Sequence, residues 1–419
     1  MPVTTPGRPA APRRPPPADP YGLVSPELFI DPHPLYHILR YAEPVHWSEV
    51  LNAWVLTRYA DVHAALRDPR LSSAMRRPVV TSRFPAGMRD GMEQVDRFLS
   101  RWVLNLDGEE HHRLRRVLSR PFSARAVLEM RPRLDRLAAE LLDEVEPRGT
   151  MDFAADYARL LPVRATSQIL GVPREAEPLL AAWSHAIAVF FARGPASPGV
   201  LDGMVNALTE MTEYLRGVVA DLLRAGSEAT LAVLARPESE GGYGLEEDEL
   251  LASGLVLLVA GHSTTSLIAN GMLLLFQHPG ERARLRAEPE LIATAVDEFL
   301  RYESPMMRHD RVALEDFDLH GFRIRREDRL VLVLGAANRD PERFPDPDRL
   351  DVGRADARQH TTFGGGPHMC LGAALAVTQA QGAIAQALER FPTLRPAGPH
   401  RWREHFNFRG VESLPVRWD

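Results

Sequence analysis

The chain has one cysteine, Cys370, in 419 residues. An internal disulfide is therefore impossible, a disulfide framework is excluded, and a reducing compartment is the natural setting. Neither sign of charge dominates: 50 Lys and Arg stand against 56 Asp and Glu, a formal net charge of −6. That leaves no global basic footprint for nucleic acid. No internal repeat and no Gly/Ser linker follows residue 20. Strand and helix patterns do not alternate, which argues against a doubly wound sheet. A flavin- or nicotinamide-binding glycine fingerprint is also missing. Residues 1–20 lack an apolar core of the signal-peptide kind; they are proline-rich and carry Arg8, Arg13 and Arg14. A disordered or polyproline-like tail without a membrane anchor is expected there. Residues 250–276 contain no Lys, Arg, Asp or Glu. That run is long enough to span a bilayer. Its centre, however, carries His262, Ser263, Thr264, Thr265 and Ser266, which are unfavourable at mid-depth without partners. A helix buried through the middle of a soluble protein accounts for both features.

What is present is a large apolar fraction, 45% of residues, enough for a sizeable core. The patterning predicts a mainly α fold with a smaller β-rich lobe, a single compact domain over 21–419. A hairpin is expected at 45–56 and a short helix at 59–66, followed by a long loop over 71–98. Helices are expected over 109–119, 124–146, 157–170, 175–193, 201–225, 281–302 and 371–390. Short strands are expected over 311–333 and near the C-terminus, with a Pro- and Asp-rich loop over 339–351.

Cys370 sits in Phe363-Gly364-Gly365-Gly366-Pro367-His368-Met369-Cys370-Leu371-Gly372, just before a helical pattern. Glycines let the backbone approach a flat, bulky ligand. A helix start offers free N–H groups and a positive dipole end, which favour thiolate over thiol. A thiolate so presented suits an axial site on haem iron; a buried structural cysteine is the plainer alternative. The decapeptide resembles the haem-thiolate loop of the cytochromes P450. Phe363, Gly364, Gly366, His368, Cys370 and Gly372 match its pattern. The resemblance implies haem b with Cys370 as axial ligand, and a monooxygenase that draws electrons from a ferredoxin and its reductase.

Other segments fit the same family in order. His111 and Arg115 share a helix face four residues apart. The resemblance makes them propionate ligands, with Arg311 and His368 completing the set. Arg113, Arg116 and Arg120 are a candidate docking face for an acidic electron donor. Ala260-Gly261-His262-Ser263-Thr264 is similar to the oxygen-binding stretch, in which the Thr264 hydroxyl would take the Ala260 carbonyl and open a groove beside the iron. Ser263 stands where the family usually has an acid, which puts the usual proton route in question. Glu298 and Arg301, three apart on a helix, resemble a buried ion-pair network whose third member would be Arg349. Leu350 stands where an aromatic is frequent. Val377 and Gln379 replace the arginine and glutamate often seen in the helix after the cysteine.

Substrate-facing candidates are Val259, Met306, Met307, Phe190 and Phe406. Mostly apolar walls suggest a lipophilic small molecule, such as a secondary metabolite, to be hydroxylated or epoxidised. Oxidative coupling, or oxidation of a substrate tethered to a carrier protein, is the alternative chemistry. A P450-like helper without catalysis is the alternative of another class; Cys370 in its full loop speaks against it. A cytoplasmic monomer is expected.

Overall fold

The computed structural model describes residues 23, 25, 27–74, 86–193 and 197–419; the expected tail at 1–20 lies outside them. Helices dominate, and one large apolar cluster joins them. It includes Leu114, Leu141, Phe153, Tyr157, Leu208, Leu215, Phe299 and Phe391. Pro132 lies inside the long helix Ala124–Val145, which runs on through it. This helix packs against Ala373–Arg390, the helix that follows Cys370. Ala373–Arg390 in turn packs against His262–Gln277 and Ile292–Tyr302. The contact is close because residue 271 is glycine: a Cβ there would lie 2.7 Å from Phe299 and 2.9 Å from Ile384.

The smaller lobe is a five-stranded sheet in the order Val45–Ser48, Ala53–Leu56, Arg329–Val333, Arg308–Ala313, Leu71–Ser72. Ala53–Leu56 and Arg329–Val333 run parallel, and the other neighbours are antiparallel. The 45–56 hairpin is as expected, turning through Asn52 at φ 47°. Near the C-terminus, Pro415–Arg417 pairs with Thr150–Asp152 and Arg395–Pro396.

Two expectations needed correction. The long loop over 71–98 contains the helix Ala86–Leu99. Met88, Met92, Val95 and Leu99 are buried, at the spacing of one helical stripe. Gly87 and Gly91 masked that stripe; a Cβ at Gly91 would meet Leu201 at 2.9 Å. The charge-free segment is two helices, Glu247–Val259 and His262–Gln277, with a break at Ala260 and Gly261. Together Glu247–Gln277 is long and apolar enough to cross a membrane, yet its apolar window is 65% buried inside the protein, as a core helix is.

Candidate haem-thiolate site

The loop before Cys370 is shaped by two glycines in the left-handed region, Gly364 (φ 71°) and Gly366 (φ 62°). At Gly366 the requirement is double: a Cβ would also fall 2.8 Å from the Leu66 carbonyl oxygen, too close for any side chain. The Cys370 N–H donates to the Phe363 carbonyl at 2.9 Å and closes the loop. Cys370 is a free cysteine with exposed surface, yet its sulfur lies close to much of the surrounding protein. Burial pushes its pKa up, against the Gly372 N–H and the Arg115 guanidinium, which pull it down. A cation bound at the sulfur would favour its ionised form, in the same direction as the Gly372 N–H and Arg115.

Around this loop the structure gathers His111, Arg115, Arg311 and His368. The rings of His111 and His368 lie 4.1 Å apart. Arg115 donates to the Met369 carbonyl, and Arg311 donates to the Asp310 carbonyl at 2.8 Å. Burial lowers the pKa of Arg115 and of Arg311. The His111 ring is held near a pKa of about 4, by burial first and then by the charges of His368 and Arg115. Its Nε2 is buried and has no partner among the described residues.

Two members of this cluster escaped the sequence reading. His309 alternates with Arg308 on its strand and is pushed down to about 3 by burial and by Arg311. Asp107 is bonded to His368 Nε2 at 3.0 Å, and is the one aspartate or glutamate hydrogen-bonded to any of these four side chains among the described residues. It also accepts from the Ser72 hydroxyl and, at 3.2 Å, from the Ala74 N–H. Burial would raise its pKa; the hydrogen bonds from His368 and Ser72 outweigh that and hold it well below the usual range. Asp107 stands at a helix N-cap without capping, because its carboxylate is spent on these contacts. In the sequence that looked like an ordinary helix start.

Thr264 is buried and Ser263 half-buried at the restart of the central helix. The expected bond from the Thr264 hydroxyl to the Ala260 carbonyl is absent among the described residues. The break is made by the backbone: the Gly261 carbonyl accepts from the Thr264 N–H at 3.1 Å and from the Thr265 N–H at 3.3 Å. This tightened turn replaces side-chain insertion. Gly261 has room to spare, since a Cβ would meet Pro162 at an ordinary 3.6 Å.

Glu298 and Arg301 are fully buried and bidentate, at 2.6 and 2.8 Å. The third basic residue is Arg354, whose Nε donates to Glu298 at 3.1 Å. Arg349, expected in that role, is exposed and lends only its carbonyl, to Arg301 and to Arg354. The loop doubles back after Arg349, so the guanidinium that returns to Glu298 comes from five residues further on.

The candidate substrate residues do not share one surface. Met306 packs with Leu66, Leu334 and Ala337, beside the loop that Gly366 touches, and bridges to Phe408. Met307 packs oppositely, with Tyr36 and Val333, and the Phe406 ring packs tilted against Phe29, with centroids 4.7 Å apart. Met307 and Phe406 are therefore corrected to the outer side of this chain segment. Phe190 lies in the main cluster and Val259 at its margin. Of the basic face, Arg113 is paired with Glu249, Arg120 caps the Tyr243 ring at 4.8 Å, and Arg116 is exposed.

The donor set fits a haem: one thiol, glycines where bulk is forbidden, an imidazole nitrogen of His111 without a partner among the described residues, and two arginines beside a second histidine that one carboxylate holds. These features define a haem-thiolate protein. A family profile described as Cytochrome P450 matches residues 220–401. The chain is 35% identical over 413 residues to "Cytochrome P450 monooxygenase PikC" of Streptomyces venezuelae, covering 96% of this chain and 95% of that one. It is 35% identical to "6-deoxyerythronolide B hydroxylase" of Saccharopolyspora erythraea, covering 95% and 98%. Among solved structures, P450BioI in complex with an acyl carrier protein ligated to hexadec-9Z-enoic acid superposes with a TM-score of 0.86 at 32% identity, covering 94% of this chain and all of that one. The chain belongs to the cytochrome P450 family. It is a monooxygenase of the P450 fold whose cofactor is haem b on a cysteine thiolate, and Cys370 is its only cysteine.

Proposed function

We propose that this enzyme hydroxylates a lipophilic secondary metabolite of polyketide type, within one haem-thiolate domain spanning 21–419. Two relatives with near-complete coverage support this: the "Polyketide biosynthesis cytochrome P450 PksS" of Bacillus subtilis, 34% identical over 401 residues, and the hydroxylase whose name specifies 6-deoxyerythronolide B. Haem supplies activation of dioxygen with two electrons. The protein's own residues bind, orient and protonate. His111, Arg115, Arg311 and His368 hold the propionates by charge-assisted hydrogen bonds. The Thr264 hydroxyl, without a partner among the described residues, is available to order water beside the helix break at Gly261. Ser263 can orient such a water but cannot itself supply a strong acid, so a substrate hydroxyl completes the proton path. Electrons arrive from a ferredoxin and its reductase in the cytoplasm. The single observation that carries the reading is Cys370 at the head of the cation cluster.

The test is titration of the ferric enzyme with a panel of macrolactones and other polyketides. A low-spin to high-spin shift with a hydroxylated product supports the reading; no shift and no product from any of them rejects it. A second reading is favoured by the P450BioI complex: the substrate is presented by a carrier protein. In that case the shift requires the acyl carrier protein conjugate and is absent with free acid.

A further inference from the structure

Arg308 is only 7% exposed, yet no carboxylate among the described residues pairs with it within 4.0 Å. Its Nη2 donates to the Leu23 carbonyl at 3.2 Å, and its Nε has no partner. A guanidinium taken out of water without a counter-charge costs several kcal/mol, so a missing anion is the economical explanation. His405, 6% exposed, faces the same need. Its Nδ1 accepts from the Asn407 N–H at 3.0 Å and the Phe408 N–H at 3.2 Å. That fixes the ring proton on Nε2, which has no acceptor.

Both residues line one small recess, open at its mouth, with room inside of about 10 Å³, enough for a single water-sized group. Arg403 is a second cation there, and Phe29, Tyr36 and Phe406 form apolar walls; no aspartate or glutamate lines it among the described residues. Arg409 also borders the recess but is committed, to Glu303 and to the carbonyls of Phe29 and Ile30. Along the strand Arg308–Ala313, Arg308 and Arg311 fall on opposite faces. The recess is thus separate from the cations around Cys370.

We propose that this recess is a binding site for one compact monoanion, a carboxylate or a halide, held by Arg308, Arg403 and the Nε2–H of His405. The guanidinium gives the charge and the imidazole the direction. The recess has room for a halide or a carboxylate head alone, and the tail of an organic acid would leave through the mouth along the apolar walls.

Calorimetric titration of the haem-loaded enzyme in halide-free buffer tests it, with sodium hexanoate, sodium bromide and neutral hexanamide as probes. Saturable one-to-one binding of hexanoate, none of hexanamide, and an affinity at least about tenfold weaker in Arg308→Met are expected. Saturation by bromide alone would support the site and assign it to inorganic ions. The carbon monoxide difference spectrum is recorded throughout, so that loss of haem is told apart from loss of the anion site. If Arg308→Met does not fold, crystals of the unaltered enzyme in bromide decide. An anomalous peak within hydrogen-bonding reach of Arg308 Nε and His405 Nε2 supports the site. No saturable binding of any anion, unchanged affinity in the variant, or no anomalous peak overturns it.

Discussion

Two clusters of arginine and its partners flank the path to Cys370, and they are satisfied in opposite ways. In the first, Arg301 gives Nε and Nη2 to both oxygens of Glu298 and Nη1 to the Asn338 and Pro347 carbonyls, at 2.6 to 3.0 Å. Glu298 also accepts from the Asp351 N–H at 3.0 Å and from Arg354. Every group is answered from within, so the cluster is a structural pin. In the second, Asp107 answers His368, Arg115 and Arg311 each give a bond to a backbone carbonyl, and His111 Nε2 has no partner among the described residues. Donors left open in a buried place are held for a ligand. Buried charge is common to both clusters; only completeness separates fold from site.

The comparison breaks most severely at the sulfur. Cys370→Ala is expected to abolish the carbon monoxide band of a thiolate-ligated haem and all oxygenation, while far-ultraviolet circular dichroism stays near that of the parent. A retained band in that variant would remove the basis of the second cluster's assignment. Next in size is the closed cluster. Glu298→Gln leaves Arg301 and Arg354 buried without a counter-charge, and a loss of about 3–5 kcal/mol is expected. Urea unfolding of the enzyme measures it; a loss under about 1 kcal/mol would mean the circuit is not the pin.

His111→Phe sharpens the contrast, because it deletes an unused donor. Folding stability of the haem-free protein should change little, since no partner is left stranded. Haem retention should suffer: losing one hydrogen bond to a charged group, about 1.5–3 kcal/mol, speeds haem transfer to apomyoglobin roughly 10- to 100-fold. Destabilisation of the haem-free fold with unchanged haem release would reverse the assignment.

Much of this was legible before the fold. The decapeptide around Cys370, the pair His111 and Arg115, and the pair Glu298 and Arg301 are local in sequence, and local spacing fixes which face a side chain takes. What was not legible depends on where distant segments cross. Asp107 reaches His368 across 261 positions, and nothing near Asp107 announces it. Met306 and Met307 are neighbours, so their division between two faces follows from strand alternation once the strand is placed. The helix Ala86–Leu99 was hidden because two glycines and two methionines make a weak stripe. The Thr264 bond failed for another reason: a tightened backbone turn and a side-chain insertion leave the same sequence trace.

The smallest expected effect separates Arg349 from Arg354. Family resemblance favoured Arg349 as the third basic residue, whereas the folded loop uses its carbonyl and sends its side chain to solvent. A carbonyl belongs to any residue, so Arg349→Ala keeps that contact and should shift stability by no more than about 0.5 kcal/mol. Arg354→Ala removes the Glu298 contact and the donors to the Pro345, Asp346 and Arg349 carbonyls; it should cost clearly more, about 1.5–3 kcal/mol for the charged hydrogen bond. Parallel urea titrations of the two variants decide. Equal losses would put both guanidinia in the circuit. A larger loss for Arg349→Ala would restore the resemblance-based assignment and require the loop to run differently between Pro347 and Arg354.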